Sequence, residues 1–273
     1  MAHRITILND AFGRRPTLTK DWGFAALVEA AGQRILFDTG NNPQTLASNC
    51  EALGVDLAKL DCCVISHRHG DHTSGLRHVL AVNPDLTIYT PDETYGVFGS
   101  SLFGNFYPRC HTLPSYFQYY DGNPPATIRH GSAWPGARFQ WIKETTEISS
   151  GVHVVPVVSD VPGTRELREL SLAVRTAQGI ILVAGCSHPG IEKILEAARP
   201  LGERVSCVVG GLHLVLTPEP EIRRRITSLR DEWRVGRMAP GHCTGEPGFA
   251  AILELFGDRC VFAGLGETVE LGA

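Results

Sequence analysis

The apolar run "LDCCVIS" stops at Ser66 and is followed at once by "HRHGDHTSGL", which places His67, His69, Asp71 and His72 within six positions. A strand this uniformly apolar is buried on both faces, as in a parallel sheet covered by helices. Its end is where such a sheet presents polar groups. In an extended chain, residues i and i+2 project to the same side, so His67 and His69 can face one cation. Gly70 lets the backbone turn, and Asp71 and His72 come round on the opening of a helix to face a second. Neutral imidazole and carboxylate suit zinc, and also iron or manganese. One histidine would be read as an ordinary surface or core residue; four potential ligands at this spacing require a common cause.

Three further histidines occupy strand-to-loop junctions: His188 in "AGCSHPG", His213 in "VVGGLHL" and His242 in "APGHCTG". Such junctions are where α/β folds assemble sites. His3, His78, His111 and His130 have no such setting and read as surface or core, and His153, inside the strand-like "VHVVPVV", reads as structural.

The first half alternates strand and helix signals. "RITILND" and "GFAALVEAAGQRILFDTG" give strands with a tight turn at Ala31-Gly32-Gln33 and a polar stop at Asp38-Thr39-Gly40. "NPQTLASNCEALG" reads as a helix ended by Gly54. The pattern of "LVEAAGQRILFDTG" returns in "AVRTAQGIILVAGC", which suggests two similar halves whose polar stops share one edge. The second half continues with helices at "IEKILEAARP" and "EPEIRRRITSLRDEW", and with strands at "RVSCVVGGLHL", "RMAPGH" and "CVFAGLGE". Between the halves, residues of about 92–150 hold Phe98, Phe103, Phe106, Tyr107, Tyr116, Phe117, Tyr119 and Tyr120 without clean periodicity. This reads as an insertion in a single domain spanning 1–273, a candidate lid or binding wall.

A net charge of −4 argues against nucleic acid or an anionic membrane as partner, leaving a small-molecule substrate. No signal core opens "MAHRITILND" and no run reaches transmembrane length, so the expected address is the cytoplasm. Eight cysteines in 273 residues make no disulfide framework and no CxxC pair; adjacent Cys62 and Cys63 are expected to be buried thiols on opposite faces. Neither a GxSxG nucleophile elbow nor a Walker lysine loop is present.

"HRHGDH" is similar to the HxHxDH signature of the metallo-β-lactamase superfamily. With "ILFDTG", "GCSHPGI", "GGLHL" and "GHCTG" following the same order, the chain resembles its branch of dihydropterin-ribofuranosyl-aminobenzene-phosphate synthase-like, or dihydropteroate-binding, metal-dependent hydrolases. The resemblance implies an α/β (α+β) four-layer αββα sandwich and a binuclear centre. It carries His67, His69, Asp71, His72 and His242 over as ligands and Asp38 as a carboxylate supporting the loop. Two positions depart from the pattern: "VVSDVPGTRE" lacks the third-motif histidine, and Cys186 then His188 stand where the bridging aspartate is expected. His188 is taken as the compensating ligand, with Cys186 in reserve.

Two divalent cations, zinc foremost with iron or manganese as alternatives, would acidify water for attack on an ester, lactone, amide or phosphoester, including one of a pterin-like substrate. Asp71 is expected to orient that water as well as to ligate, and His213 to act on the substrate side as an orienting or acid/base group. The competing reading, motivated by the missing third-motif histidine, is a pterin-binding or sensory protein with a degraded metal site.

Overall fold

The computed structural model describes residues 3–93, 101–103, 109–129, 134 and 136–270. In chain order, the first half contains β1 (Arg4–Asn9), β2 (Ala25–Ala30), β3 (Gln33–Phe37), α1 (Pro43–Ala52), β4 (Cys62–Val64), α2 (Gly70–Thr73), α3 (Leu76–Val82) and β5 (Thr87–Pro91). Two short strands, β6 (Ser101–Phe103) and β7 (Thr127–Arg129), precede β8 (Arg138–Ile142), β9 (Thr146–Ser149) and β10 (Val152–Val158). The remainder comprises β11 (Arg168–Thr176), β12 (Gly179–Ala184), α4 (Ile191–Ala198), β13 (Val205–Gly210), α5 (Glu219–Asp231), β14 (Arg237–Pro240), α6 (Glu246–Phe256) and β15 (Thr268–Glu270).

Seven strands form one sheet in the order β15-β1-β2-β3-β4-β5-β8, and six form a second in the order β14-β13-β12-β11-β10-β9. The halves correspond as the repeated pattern suggests. In each, an antiparallel hairpin (β2–β3, β11–β12) hands over to a parallel neighbour (β4, β13). The first hairpin turns on Ala31 and Gly32, both at positive φ, as a two-residue type I′ turn requires; Gln33 already belongs to β3.

Alternation along the strands sorts the side chains into layers. Ile35, Phe37 and Val64 of the first sheet face Leu170, Leu172, Ile181, Val183 and Val209 of the second in one dry core. On its other face the second sheet buries Ile180, Leu182 and Val208 against Ile194 of α4, Ile226 of α5 and Ile252 of α6. On the first sheet's outer side Leu46 of α1 and Val79 of α3 are fully buried, which completes an αββα sandwich. Each such residue contributes about 1.5–3 kcal/mol of burial. Cys62 enters the inter-sheet core while Cys63 does not, and both are buried, so the neighbours do point to opposite faces. Burial pushes the Cys62 thiol up to about 12.

The chain forms two compact units: residues up to 91 together with those from 137 onward, and residues 92–136. The second unit is thus shorter than the 92–150 segment set apart in sequence, because β8 pairs with β5 and β9 with β10. Within it β6 and β7 pair antiparallel, and Tyr116, Tyr119 and Tyr120 are exposed. Phe98, Phe106, Tyr107 and His130 lie outside the described residues, as do the side chains of Phe103 and Phe117. Near the end of the chain, "CVFAGLGE" makes only an isolated bridge between Met238 and Cys260; the last strand is "TVE", and α6 lies where no helix is expected. Among the described residues no helix is long and apolar enough to cross a membrane.

Candidate metal centre

The strand ends of both sheets meet at one site. Asp38 closes β3, Ser66 and His67 follow β4, Cys186 to His188 follow β12, His213 follows β13, and His242 follows β14. Four of these residues sit at positive φ: Asp38, Ser187, His213 and His242. Left-handed backbone costs a non-glycine residue about 1–3 kcal/mol, and its concentration here shows a chain held by its surroundings to aim side chains inward.

Hydrogen bonds around the rim fix each imidazole. Asp38, fully buried, takes the Ser66 N–H at Oδ1 (2.7 Å) and the Ser66 hydroxyl at Oδ2 (2.7 Å). Because that hydroxyl gives its proton to Asp38, its oxygen accepts from His67 Nδ1 at 2.8 Å. Asp38 Oδ2 also accepts from His72 Nδ1 at 2.7 Å, and Glu169 Oε2 accepts from His188 Nδ1 at 3.0 Å. The network therefore places a proton on Nδ1 of all three rings and turns each Nε2 inward, where the neutral ring would offer its lone pair to a cation. This is how polar partners behind a metal site prepare its histidines.

The inward atoms fall into groups whose members lie within 4.8 Å of one another: His67, His69 and His188; Asp71, His72 and His242; and His67, His72 and Cys186. Cys186 Sγ is 3.2 Å from His72 Nε2, so the residue held in reserve stands at the centre beside His188. All six expected ligands converge. His153 is buried in β10 and belongs to none of these groups.

The residues fit a pair of divalent cations. His242 carries two buried ring nitrogens, neither with a hydrogen-bond partner; Nε2 stands 3.5 Å from Asp71 Oδ2 without alignment. A buried unsatisfied polar atom costs about 1–3 kcal/mol, which a cation would recover. Burial, then the neighbouring rings, holds His67 well below the ordinary imidazole range, and burial with His188 brings His69 down to about 4. Both are thus neutral, as ligands must be. Burial alone would raise Asp71, but the His242 and His72 rings outweigh it and keep the carboxylate charged. For His72, burial is overridden by Asp38, which lifts it to about 9 in the metal-free site.

Several participants are not evident in sequence. Glu169, buried in β11, receives the N–H groups of Cys186, Ser187 and His188 at 2.9, 2.7 and 2.9 Å. A carboxylate inside "LRELSLAV", where Leu170, Leu172 and Val174 line one face and Glu169, Ser171 and Ala173 the other, gives little sign of burial on both faces. Asp10, at the end of β1, accepts from His242 N (3.0 Å) and Ala11 N (2.7 Å), while burial pushes its carboxyl up to about 7. Trp22, half exposed, lies 5.2 Å from the His242 ring centre to centre. Gly211 admits no side chain: a Cβ there would strike the Gly185 carbonyl and come within 2.7 Å of Cys243 Sγ. Gly211→Ala is expected to lower stability by about 1–3 kcal/mol, read by chemical denaturation, because backbone on one side cannot yield.

A two-sheet sandwich with histidine, aspartate and cysteine donors gathered at its strand ends defines an α/β protein with a candidate metal centre. The model of the beta-lactamase superfamily domain matches residues 33–209, and the chain belongs to that superfamily. It is 24% identical over 268 residues to the 7,8-dihydropterin-6-methyl-4-(β-D-ribofuranosyl)-aminobenzene-5′-phosphate synthase of Methanocaldococcus jannaschii, covering 88% of this chain and 86% of that one. An uncharacterised protein of the same organism is 26% identical over 259 residues, covering 90% and 92%. Among solved structures, Tm1679, a metal-dependent hydrolase of the beta-lactamase superfamily, superposes with a TM-score of 0.74 at 24% identity, covering 99% and 100%. YhfI of Bacillus subtilis (TM-score 0.61, 12% identity, covering 99% of each chain) and the short form of human tRNase Z (0.57, 12%, covering 99% and 100%) share the fold.

Proposed function

We propose that this chain is a hydrolase that works with two divalent cations, zinc foremost with iron or manganese as alternatives. The observation that carries the reading is the set of three imidazoles held by Ser66, Asp38 and Glu169 with their Nε2 atoms turned inward. His67, His69 and His188 would hold one cation, and Asp71, His72 and His242 the other, with Cys186 beside them. Bound there, such cations supply Lewis-acid polarisation and acidify water.

The chain's own groups do the rest. The Asp71 carboxylate, kept charged and only partly buried, can accept a hydrogen bond from an attacking water and orient it. Trp22 offers a flat exposed face beside His242, suited to a planar ring. A pterin-like ester or phosphoester is the substrate class this supports, in keeping with the name of the synthase relative. The gathering of His188 beside His67 and His69 supports it as the ligand that compensates for the missing third-motif histidine. Eight unpaired thiols fit a reducing cytoplasm.

His69→Ala is expected to lose cation and activity together, by more than the roughly 10–100-fold typical of residues one step removed from a metal. Elemental analysis of the purified variant and turnover on lactones, phosphodiesters and pterin conjugates check this. Full metal retention in the variant would count against the assignment.

A further inference from the structure

One group of donors is not used by the pair of sites above. Cys186 Sγ, Cys243 Sγ and a ring nitrogen of His213 also lie within 4.8 Å of one another. They come from the ends of three neighbouring strands of the second sheet, β12, β13 and β14, so the sheet itself fixes their spacing. We propose that Cys186, His213 and Cys243 form a third cation site, selective for a thiophilic ion such as zinc, that shares Cys186 with the histidine-rich pair.

The local chemistry favours it. Zinc bonds of about 2.3 Å to sulfur and 2.0–2.1 Å to nitrogen place tetrahedral donors about 3.5–3.8 Å apart, within a small adjustment of the spacing seen. Both thiols are buried and neither is in a disulfide, whereas His213 is exposed, which leaves an entry path and room for a water as fourth ligand. The backbone is committed to the arrangement. His213 holds positive φ, Leu214 N and Val215 N both donate to the Cys243 carbonyl at 3.0 and 3.2 Å, and bare Gly211 lets the Cys243 sulfur reach Cys186. The donor type sets selectivity: two sulfurs and one imidazole hold zinc or cadmium far better than manganese, while the histidine and carboxylate pair accepts either kind.

The proposal stands apart from the hydrolytic reading and is read by stoichiometry rather than turnover. The full chain is stripped, reduced, reconstituted separately with zinc and with manganese, desalted and analysed for metal. Wild type is expected to hold one more equivalent of zinc than of manganese. Cys243→Ser is expected to lose that extra zinc and keep its manganese, and the retained manganese shows that the variant is folded. His213→Ala, which removes the imidazole donor, should weaken the extra zinc by about tenfold or more. Equal zinc and manganese content in wild type would overturn the third site, as would an extra zinc that survives both substitutions. Loss of the manganese sites in wild type would instead strike at the histidine-rich pair.

Discussion

Asp38→Ala is expected to cost about 3–5 kcal/mol of stability, the range for removing one partner of a buried charged pair. It is also expected to lower cation affinity by at least about 10–100-fold. The carboxylate is fully buried and takes three hydrogen bonds, from Ser66 N, the Ser66 hydroxyl and His72 Nδ1. Without it the Ser66 hydroxyl has no fixed acceptor, its oxygen no longer holds His67 Nδ1, and His72 is free to take the other tautomer. Two ligands thus lose their orientation through one substitution that touches no cation. In the metal-free protein the deficit should also depend on pH. Asp38 raises His72 to about 9, above the ordinary imidazole value of about 6.5. A raised imidazole contributes stability that is fully present below the unfolded value and is lost as the pH climbs through the folded one. The difference between wild type and variant should therefore be largest below about pH 6.5 and shrink toward pH 9. Urea unfolding of stripped protein across that range measures it, and a deficit that does not change with pH would contradict the pairing.

How much of this could be read from the chain follows from how far apart the interacting residues lie. The "HRHGDH" loop is local: its strand, its turn and its helix opening are adjacent in sequence, so their geometry follows from spacing alone. The junction histidines His188, His213 and His242 are legible for a related reason, since each breaks an apolar strand at a place where sheets present polar groups. Asp10, Glu169 and Cys243 are different. Asp10 reaches His242 across 232 positions, and Glu169 works through backbone N–H groups of a loop that leaves the neighbouring strand. Nothing near either residue encodes the partner. Helix α6 escapes for a local reason: in "EPGFAAILELF" Leu253 is exposed among buried Ala251, Ile252 and Phe256, so no clean apolar stripe forms. "CVFAGLGE" misleads in the opposite sense. Ala263 and Leu265 are buried, but Phe262 is exposed, and Leu265 N and Gly266 N bond to the Phe12 and Ile7 carbonyls without forming a ladder.

Glu169 gives the sharpest separation of fold from metal binding. In Glu169→Ala the N–H groups of Cys186, Ser187 and His188 lose their acceptor inside the protein. At about 1–3 kcal/mol for each orphaned donor, the variant should lose at least about 3 kcal/mol. Glu169→Gln keeps the volume and one oxygen. That oxygen is best kept on the side of the Cys186 and Ser187 N–H groups, which can only donate; the amide NH₂ then faces His188, whose ring can switch roles although its backbone N–H loses an acceptor. Nδ1 of His188 must then accept rather than donate, so its proton moves to Nε2, the atom that faces His67 and His69. An imidazole cannot bind a cation through a protonated nitrogen. The glutamine variant should therefore remain folded and keep the cation at Asp71, His72 and His242, while the one at His67, His69 and His188 weakens by about 10–100-fold. Metal titration, with nitrogen NMR of the histidine tautomers, distinguishes the two sites. Wild-type affinity at both in Glu169→Gln would show that the carboxylate supports only the loop and does not set the ring.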